Sequence, residues 1–94
     1  MPITKVEGPK KSHKVFLYTL STCGWCKRTK EMLREEGVDY AYLDLDAVVG
    51  EERERALEDI KRLNARMGFP LIIVDDSIMI NGYDPPRIKE ALGI

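Results

Sequence analysis

The fold is decided by one stretch of sequence, KVFLYTLSTCGWC at residues 14–26. Its first seven residues are mainly β-branched, aromatic or aliphatic, a composition typical of a buried strand. Ser21 and Thr22 then offer side chains that can cap a helix, which we predict from about residue 25 to residue 36. Gly37 follows, as expected of a glycine that ends a helix. The chain therefore passes directly from a strand into a helix, and its two cysteines lie at the junction.

Strand and helix patterns alternate along the rest of the chain. The other predicted elements are strands at 38–45, 71–74 and 78–80 and helices at 51–67 and 85–92. Asp84 is placed to cap the last helix, and Pro85 occupies its first position, where a missing N–H costs nothing. The order β-α-β-α-β-β-α begins with a parallel pair joined by a helical crossover and ends with a hairpin. We therefore expect an α/β protein with a mixed sheet of four strands.

Length, composition and charge limit the class of protein. A chain of 94 residues forms one domain, which we place at residues 14–94 after a flexible tail at residues 1–13. With 44% apolar and 33% charged residues, the composition is typical of a folded globular protein. The net charge of -1 argues against a nucleic-acid-binding protein. Uninterrupted apolar runs are far shorter than the roughly 20 residues of a membrane helix, and no secretory signal is visible, so we expect a cytoplasmic protein.

Cys23 and Cys26 are the only cysteines, and a close pair favours catalysis or metal binding over a disulfide scaffold. Residues three apart in the first turn of a helix share a face, so the two sulfurs can approach bonding distance. Free N–H groups and the helix dipole favour a thiolate at the helix N-terminus. Cys23 is therefore the expected nucleophile and Cys26 the resolving thiol. Lys27 and Lys30 follow closely, and we expect their positive charge to support the thiolate.

The chemistry expected of this pair is thiol–disulfide exchange. Cys23 attacks a substrate disulfide, and Cys26 then attacks Cys23 and releases the reduced substrate. An outside reductant must restore the pair, and no metal ion or organic cofactor is required. Three alternatives stay open. They are an inert buried pair, an iron–sulfur cluster bridging two subunits, and a zinc site that two copies share, since one chain offers only the two cysteines and His13.

The chain resembles the glutaredoxin branch of the thioredoxin-fold superfamily over residues 14–93. The resemblance rests on the Cys-Gly-Trp-Cys motif after the first strand, on Pro70 before the third strand, and on Gly82-Tyr83-Asp84 before the last helix. It implies a thioredoxin fold in which the four predicted strands are ordered 2-1-3-4, with helices on both faces of the sheet. It also implies a dithiol oxidoreductase that acts as a monomer on disulfide-containing proteins.

The same resemblance implies a substrate site beside the cysteines. In the family the proline that matches Pro70 is cis, and the residue before it, here Phe69, offers its backbone N–H and C=O to an extended substrate. Trp25, the only tryptophan, is interpreted as an exposed apolar platform for protein partners, and Tyr83 as a similar contact. The predicted substrate-binding residues are Trp25, Phe69, Pro70, Gly82, Tyr83 and Asp84.

The electron donor stays open because the sequence departs from the family pattern. Glutaredoxins usually carry Lys or Arg three residues before the nucleophile, where it meets a glutathione carboxylate, and here that residue is Leu20. The usual Thr-Val-Pro is Gly68-Phe69-Pro70, and the second of two aspartates is Pro85. Either glutathione or a thioredoxin-reductase-type enzyme can therefore be the reductant. Gly24 replaces the commoner proline, which keeps open a bridging cluster that uses Cys23.

Overall fold

A computed structural model describes residues 3–63 and 68–94. The described residues form five strands, three α-helices and one short 3-10 helix. The elements in chain order are β1 (Thr4–Val6), β2 (Val15–Thr19), α1 (Gly24–Glu35), β3 (Tyr40–Asp44), the 3-10 helix (Leu45–Ala47), α2 (Gly50–Arg62), β4 (Leu71–Val74), β5 (Ile78–Asn81) and α3 (Pro85–Leu92).

The strands form one mixed sheet in the order β1-β3-β2-β4-β5. β2 and β3 are parallel and are joined through α1, and their paired residues run from Phe16 opposite Ala41 to Thr19 opposite Asp44. β4 is antiparallel to β2, and β5 is antiparallel to β4. The four predicted strands thus have the predicted order, and the prediction of a mixed α/β sheet is confirmed.

The sheet has five strands and not the predicted four, because the segment predicted as a flexible tail contributes a strand. β1 pairs antiparallel with β3, with Thr4 opposite Tyr42 and Val6 opposite Tyr40. Asp39, directly before β3, holds this segment against the sheet. Its carboxylate accepts the backbone N–H of Gly8 at 3.1 Å and forms an ion pair with Lys5. A strand of three residues is too short to show an alternating pattern in the sequence, and its pairing partner is distant along the chain.

The helices begin close to their predicted starts. α2 ends at Arg62, with Leu63 in the capping position, and the predicted continuation over residues 64–67 lies outside the described residues. α3 is capped by Asp84 as predicted, because its carboxylate accepts the backbone N–H of Arg87 at 3.3 Å. Within residues 3–63 and 68–94, no helix combines the length and the apolar character needed to cross a membrane.

Two apolar clusters lie on opposite faces of the sheet. The cluster beneath α1 and α3 includes Val15, Leu17, Met32, Leu33, Ile72, Ile80, Ile88 and Leu92. The cluster beneath α2 includes Tyr18, Leu43, Leu45, Ala56, Ile60, Leu71 and Ile73. Helices therefore cover both faces, as predicted. Because strands β2 and β3 are parallel, both end at the same edge of the sheet, and this edge carries the first turn of α1.

Candidate active site

The cysteine pair lies where β2 passes into α1. Cys23 is the N-cap residue of α1, with extended backbone, and its Sγ accepts the backbone N–H of Cys26 at 3.2 Å. The prediction that Ser21 or Thr22 caps this helix is wrong, since the hydroxyl of Ser21 is bonded to Asp46 instead. The Cys23 sulfur therefore takes the place that a capping oxygen usually has, next to the positive end of the helix dipole.

The two thiols differ in accessibility. Both are free, and Cys26 is fully buried while Cys23 is partly exposed. The pKa of Cys26 is raised to about 12, chiefly by burial and then by the hydrogen bond and charge of Cys23, while Leu20 and Lys30 act in the opposite direction. Cys26 is therefore protonated at neutral pH in the reduced protein. Cys23 is the more accessible of the two cysteines.

Two sets of hydrogen bonds hold the turn before Cys23. Within the turn, the backbone N–H of Cys23 donates to the carbonyl of Leu20 at 3.1 Å. From outside it, the carboxylate of Asp46 accepts the backbone N–H of Ser21 at 2.9 Å and also the Ser21 hydroxyl. These bonds from Ser21 hold the pKa of Asp46 below its usual value. Sequence reasoning missed Asp46, whose partner lies 25 positions away along the chain.

The two lysines predicted to support the Cys23 thiolate differ in their surroundings, since Lys30 has an ion-pair partner and Lys27 is exposed. The Lys30 ammonium lies 3.3 Å from the carboxylate of Asp44 and 3.7 Å from the ring centroid of Tyr42. Asp44 also accepts the hydroxyl of Thr19 at the end of β2. The charge of Lys30 is thus largely balanced by Asp44, and its effect on the pKa of Cys26 is the smallest of those acting there. Lys27 is exposed, and its electrostatic role stays a prediction.

Four of the six predicted substrate-binding residues line one shallow cleft of about 270 Å³. They are Trp25, Phe69, Gly82 and Tyr83. The indole of Trp25 is 61% exposed and stacks on the Tyr83 ring, with centroids 5.4 Å apart and planes 20° apart. The Phe69–Pro70 peptide is cis, as the resemblance implied, and the Pro70 carbonyl accepts the N–H of Gly82 at 2.8 Å. Trp25 and Tyr83 together form an aromatic shelf, and Trp25 lies between the two cysteines in the sequence.

The remaining predicted residues have structural partners. Pro70 is buried, and Asp84 caps α3 from the end of the loop that carries Tyr83. His13 lies at the opposite end of β2 from Cys23, 2.7 Å from the carboxylate of Asp75. In the part of the chain that is described, no three His, Cys, Asp or Glu side chains are grouped to hold a metal ion. A cluster shared between two copies stays a prediction.

A mixed sheet covered by helices on both faces, with a cysteine pair at the first turn of α1, defines a redox protein of the thioredoxin fold. The family model for glutaredoxin matches residues 15–79, which is more than half of the chain. The chain belongs to the glutaredoxin family.

Comparisons with individual proteins agree with this assignment. The structure is similar to that of the glutaredoxin from Methanosarcina mazei Go1, with a TM-score of 0.86 and 40% identity over 98% of this chain and 88% of the other. It is also similar to Methanosarcina acetivorans methanoredoxin, with a TM-score of 0.79 and 41% identity over 86% and 85% of the two chains. A glutaredoxin-like 8.6 kDa protein of a Clostridium pasteurianum rubredoxin operon is 30% identical over 81% of this chain and 93% of its own length.

Proposed function

We propose that this glutaredoxin-family protein is a dithiol thiol–disulfide oxidoreductase that reduces protein disulfides or mixed disulfides. One observation carries the proposal. Cys23 is partly exposed at the N-cap of α1, and its sulfur accepts a hydrogen bond from the backbone N–H of Cys26, whose own side chain is fully buried. A reachable sulfur at a helix N-terminus with a protected partner one turn away is the arrangement that sequential exchange requires.

Electrons pass to the substrate in two steps. The Cys23 thiolate attacks one sulfur of a substrate disulfide, forming a mixed disulfide while the other substrate sulfur leaves as a thiolate. Cys26 then gives up its proton to the thiolate released in the first step or to water and attacks the Cys23 sulfur, and the second substrate sulfur leaves as a thiolate that takes a proton from water. The substrate gains two electrons and two protons, and the protein is left with a Cys23–Cys26 disulfide.

The environment of Cys26 supports this order of events. Part of the rise in its pKa comes from the hydrogen bond and charge of Cys23. Once the Cys23 sulfur is bonded to substrate, it carries no charge and is a weaker acceptor, so burial is the main effect that opposes ionisation of Cys26. The resolving thiol is therefore kept protonated in the resting dithiol and becomes easier to ionise in the mixed disulfide, when its attack is needed.

The aromatic shelf supports a protein substrate. Trp25 is widely exposed, yet its ring is stacked on Tyr83 and is held in one orientation. A fixed, apolar surface next to Cys23 suits a disulfide carried by a polypeptide with apolar neighbours, since such area binds at low entropic cost. We propose that Trp25, Tyr83 and the backbone of Phe69 contact the substrate chain.

An insulin-reduction assay tests the proposed activity. With dithiothreitol as donor, wild-type protein should accelerate the precipitation of reduced insulin B chain well above the rate with dithiothreitol alone, because Cys23 attacks disulfides faster than a free thiol does. Turbidity measures the rate, and heat-inactivated protein is the control. A rate equal to that of dithiothreitol alone would contradict the proposal.

The proposed donor is a reductase of the thioredoxin-reductase type. At the position where the family usually has a cation, the side chain of Leu20 packs against the apolar cluster beneath α2. No positive charge at that position can therefore meet a glutathione carboxylate, and binding of glutathione is expected to be weak.

Donor preference can be measured by counting free thiols in the oxidised protein. We expect millimolar glutathione to reduce it slowly and a thioredoxin reductase with its nicotinamide cofactor to reduce it readily. Leu20→Lys should speed reduction by glutathione, because a lysine at a half-buried position can extend its ammonium to solvent. Leu57→Lys, at a half-buried leucine of α2, is the matched control. Fast reduction of the wild type by glutathione would show that Leu20 does not decide the donor.

A further inference from the structure

The parallel pairing of β2 and β3 continues through side chains after the backbone ladder ends. The last pair in the ladder is Thr19 opposite Asp44. Each strand ends there, and two residues later the carboxylate of Asp46, in the 3-10 helix, accepts both the backbone N–H and the hydroxyl of Ser21. The carboxylate of Asp46 thus accepts the Ser21 N–H as a strand carbonyl would in a longer ladder. This contact lies at the end of the sheet that carries the cysteine pair.

Ser21, which donates both hydrogen bonds, is two residues before Cys23. Between them the chain makes a tight turn, closed by the bond from the Cys23 N–H to the carbonyl of Leu20 at 3.1 Å. The turn is otherwise exposed at Ser21 and Thr22. The Asp46 side chain therefore attaches this turn to the 3-10 helix two residues before Cys23, whose sulfur accepts the Cys26 N–H at 3.2 Å.

We propose that Asp46 is a positioning residue for Cys23, holding the Leu20–Cys23 turn so that the sulfur stays in the N-cap position of α1. The proposal rests on the proposed function only in taking Cys23 as the reacting thiol. An ionised carboxylate accepts hydrogen bonds and donates none, which matches the two donors that Ser21 presents. Bonds from neutral donors to a charged acceptor are also stronger than those between neutral groups.

The hydrogen bonds and the charge of Asp46 have opposite effects on the nucleophile. A negative charge near Cys23 disfavours its thiolate, whereas the hydrogen bonds keep its sulfur at the helix N-terminus, which favours the thiolate. Asparagine separates the two effects. Its carbonyl oxygen can accept the Ser21 N–H, and its amide can donate to the Ser21 hydroxyl, so Asp46→Asn keeps both bonds without the charge. Asp46→Ala removes both bonds.

The test is the rate at which iodoacetamide alkylates Cys23 in the reduced protein at neutral pH, followed by mass spectrometry. Asp46→Ala should slow alkylation by about tenfold, the factor that corresponds to one hydrogen bond with a charged partner. Asp46→Asn should stay within about twofold of wild type, as should Glu58→Ala, which removes an exposed carboxylate from α2. Ser21→Ala keeps the backbone bond and should fall between wild type and Asp46→Ala.

Two results would overturn the proposal. One is a wild-type rate in both Asp46→Ala and Ser21→Ala, and the other is an Asp46→Asn variant as slow as Asp46→Ala. If circular dichroism shows that Asp46→Ala does not fold, the alkylation rate of Ser21→Ala is compared with that of wild type. Equal rates would then overturn the proposal. Alkylation needs no disulfide substrate, so the positioning role can be supported even if insulin reduction fails, and the two proposals fail separately.

Discussion

Replacing Cys23 with serine should abolish the catalysis of insulin reduction, so that the rate falls to that measured with dithiothreitol alone. A serine hydroxyl is not ionised at neutral pH and forms no disulfide, so the first exchange step has no nucleophile. The fold should be retained, since Cys23 is partly exposed and a serine oxygen can accept the Cys26 N–H in the same N-cap position. Insulin turbidity and circular dichroism, measured on the same preparation, separate loss of chemistry from loss of fold.

Replacing Cys26 with serine should stop the reaction one step later. Cys23 still attacks, but no thiol follows, so a mixed disulfide between protein and substrate should accumulate and be visible by mass spectrometry. In the reduced wild-type protein, a brief treatment with iodoacetamide at neutral pH should label Cys23 alone, because Cys26 is buried and burial raises its pKa to about 12. Preferential labelling of Cys26, or a mixed disulfide that forms in Cys23→Ser, would reverse the assigned roles.

The features predicted correctly are those whose causes are local in the sequence. The passage from β2 into α1 follows from an apolar strand pattern and an adjacent cysteine pair within residues 14–26. The start of α3 follows from Asp84, whose side chain bonds the backbone three residues on. The β4–β5 hairpin follows from two short apolar runs around residues 75–77, where Asp75 and Asp76 adopt positive φ. Each of these signals involves neighbours within a few residues.

The features that were missed depend on partners far along the chain. Capping of α1 by Cys23 depends on Ser21 being bonded to Asp46, which no local pattern reveals. β1 depends on β3, some 35 positions later, and on the carboxylate of Asp39. The ion pair between Lys30 and Asp44 likewise crosses from α1 to β3. At the candidate site, the sequence therefore predicts the cysteine pair, while the contacts around the pair become visible only in three dimensions.

Truncating Ile72 should lower the stability of the fold strongly. Ile72 is fully buried in β4, the second strand from one edge of the sheet, and lies opposite Leu17 of β2 and Ile80 of β5. Ile72→Ala leaves a cavity between three strands that cannot close, and such changes lower the free energy of unfolding by about 2–5 kcal/mol. A domain of this size has only about 5–15 kcal/mol in total. Urea denaturation followed by circular dichroism measures the loss.

The same substitution at an exposed position provides the control. Ile78 belongs to β5 at the edge of the sheet and is 41% exposed, so Ile78→Ala should cost far less than Ile72→Ala. Because Ile72 lies in the cluster beneath α1 and α3, its loss should also loosen the packing that holds α1 on the sheet. Alkylation of Cys26 in Ile72→Ala should then become faster, since exposure of the buried thiol requires α1 to move. Equal destabilisation by the two variants would mean that burial of Ile72 in this cluster adds nothing to the stability of the fold.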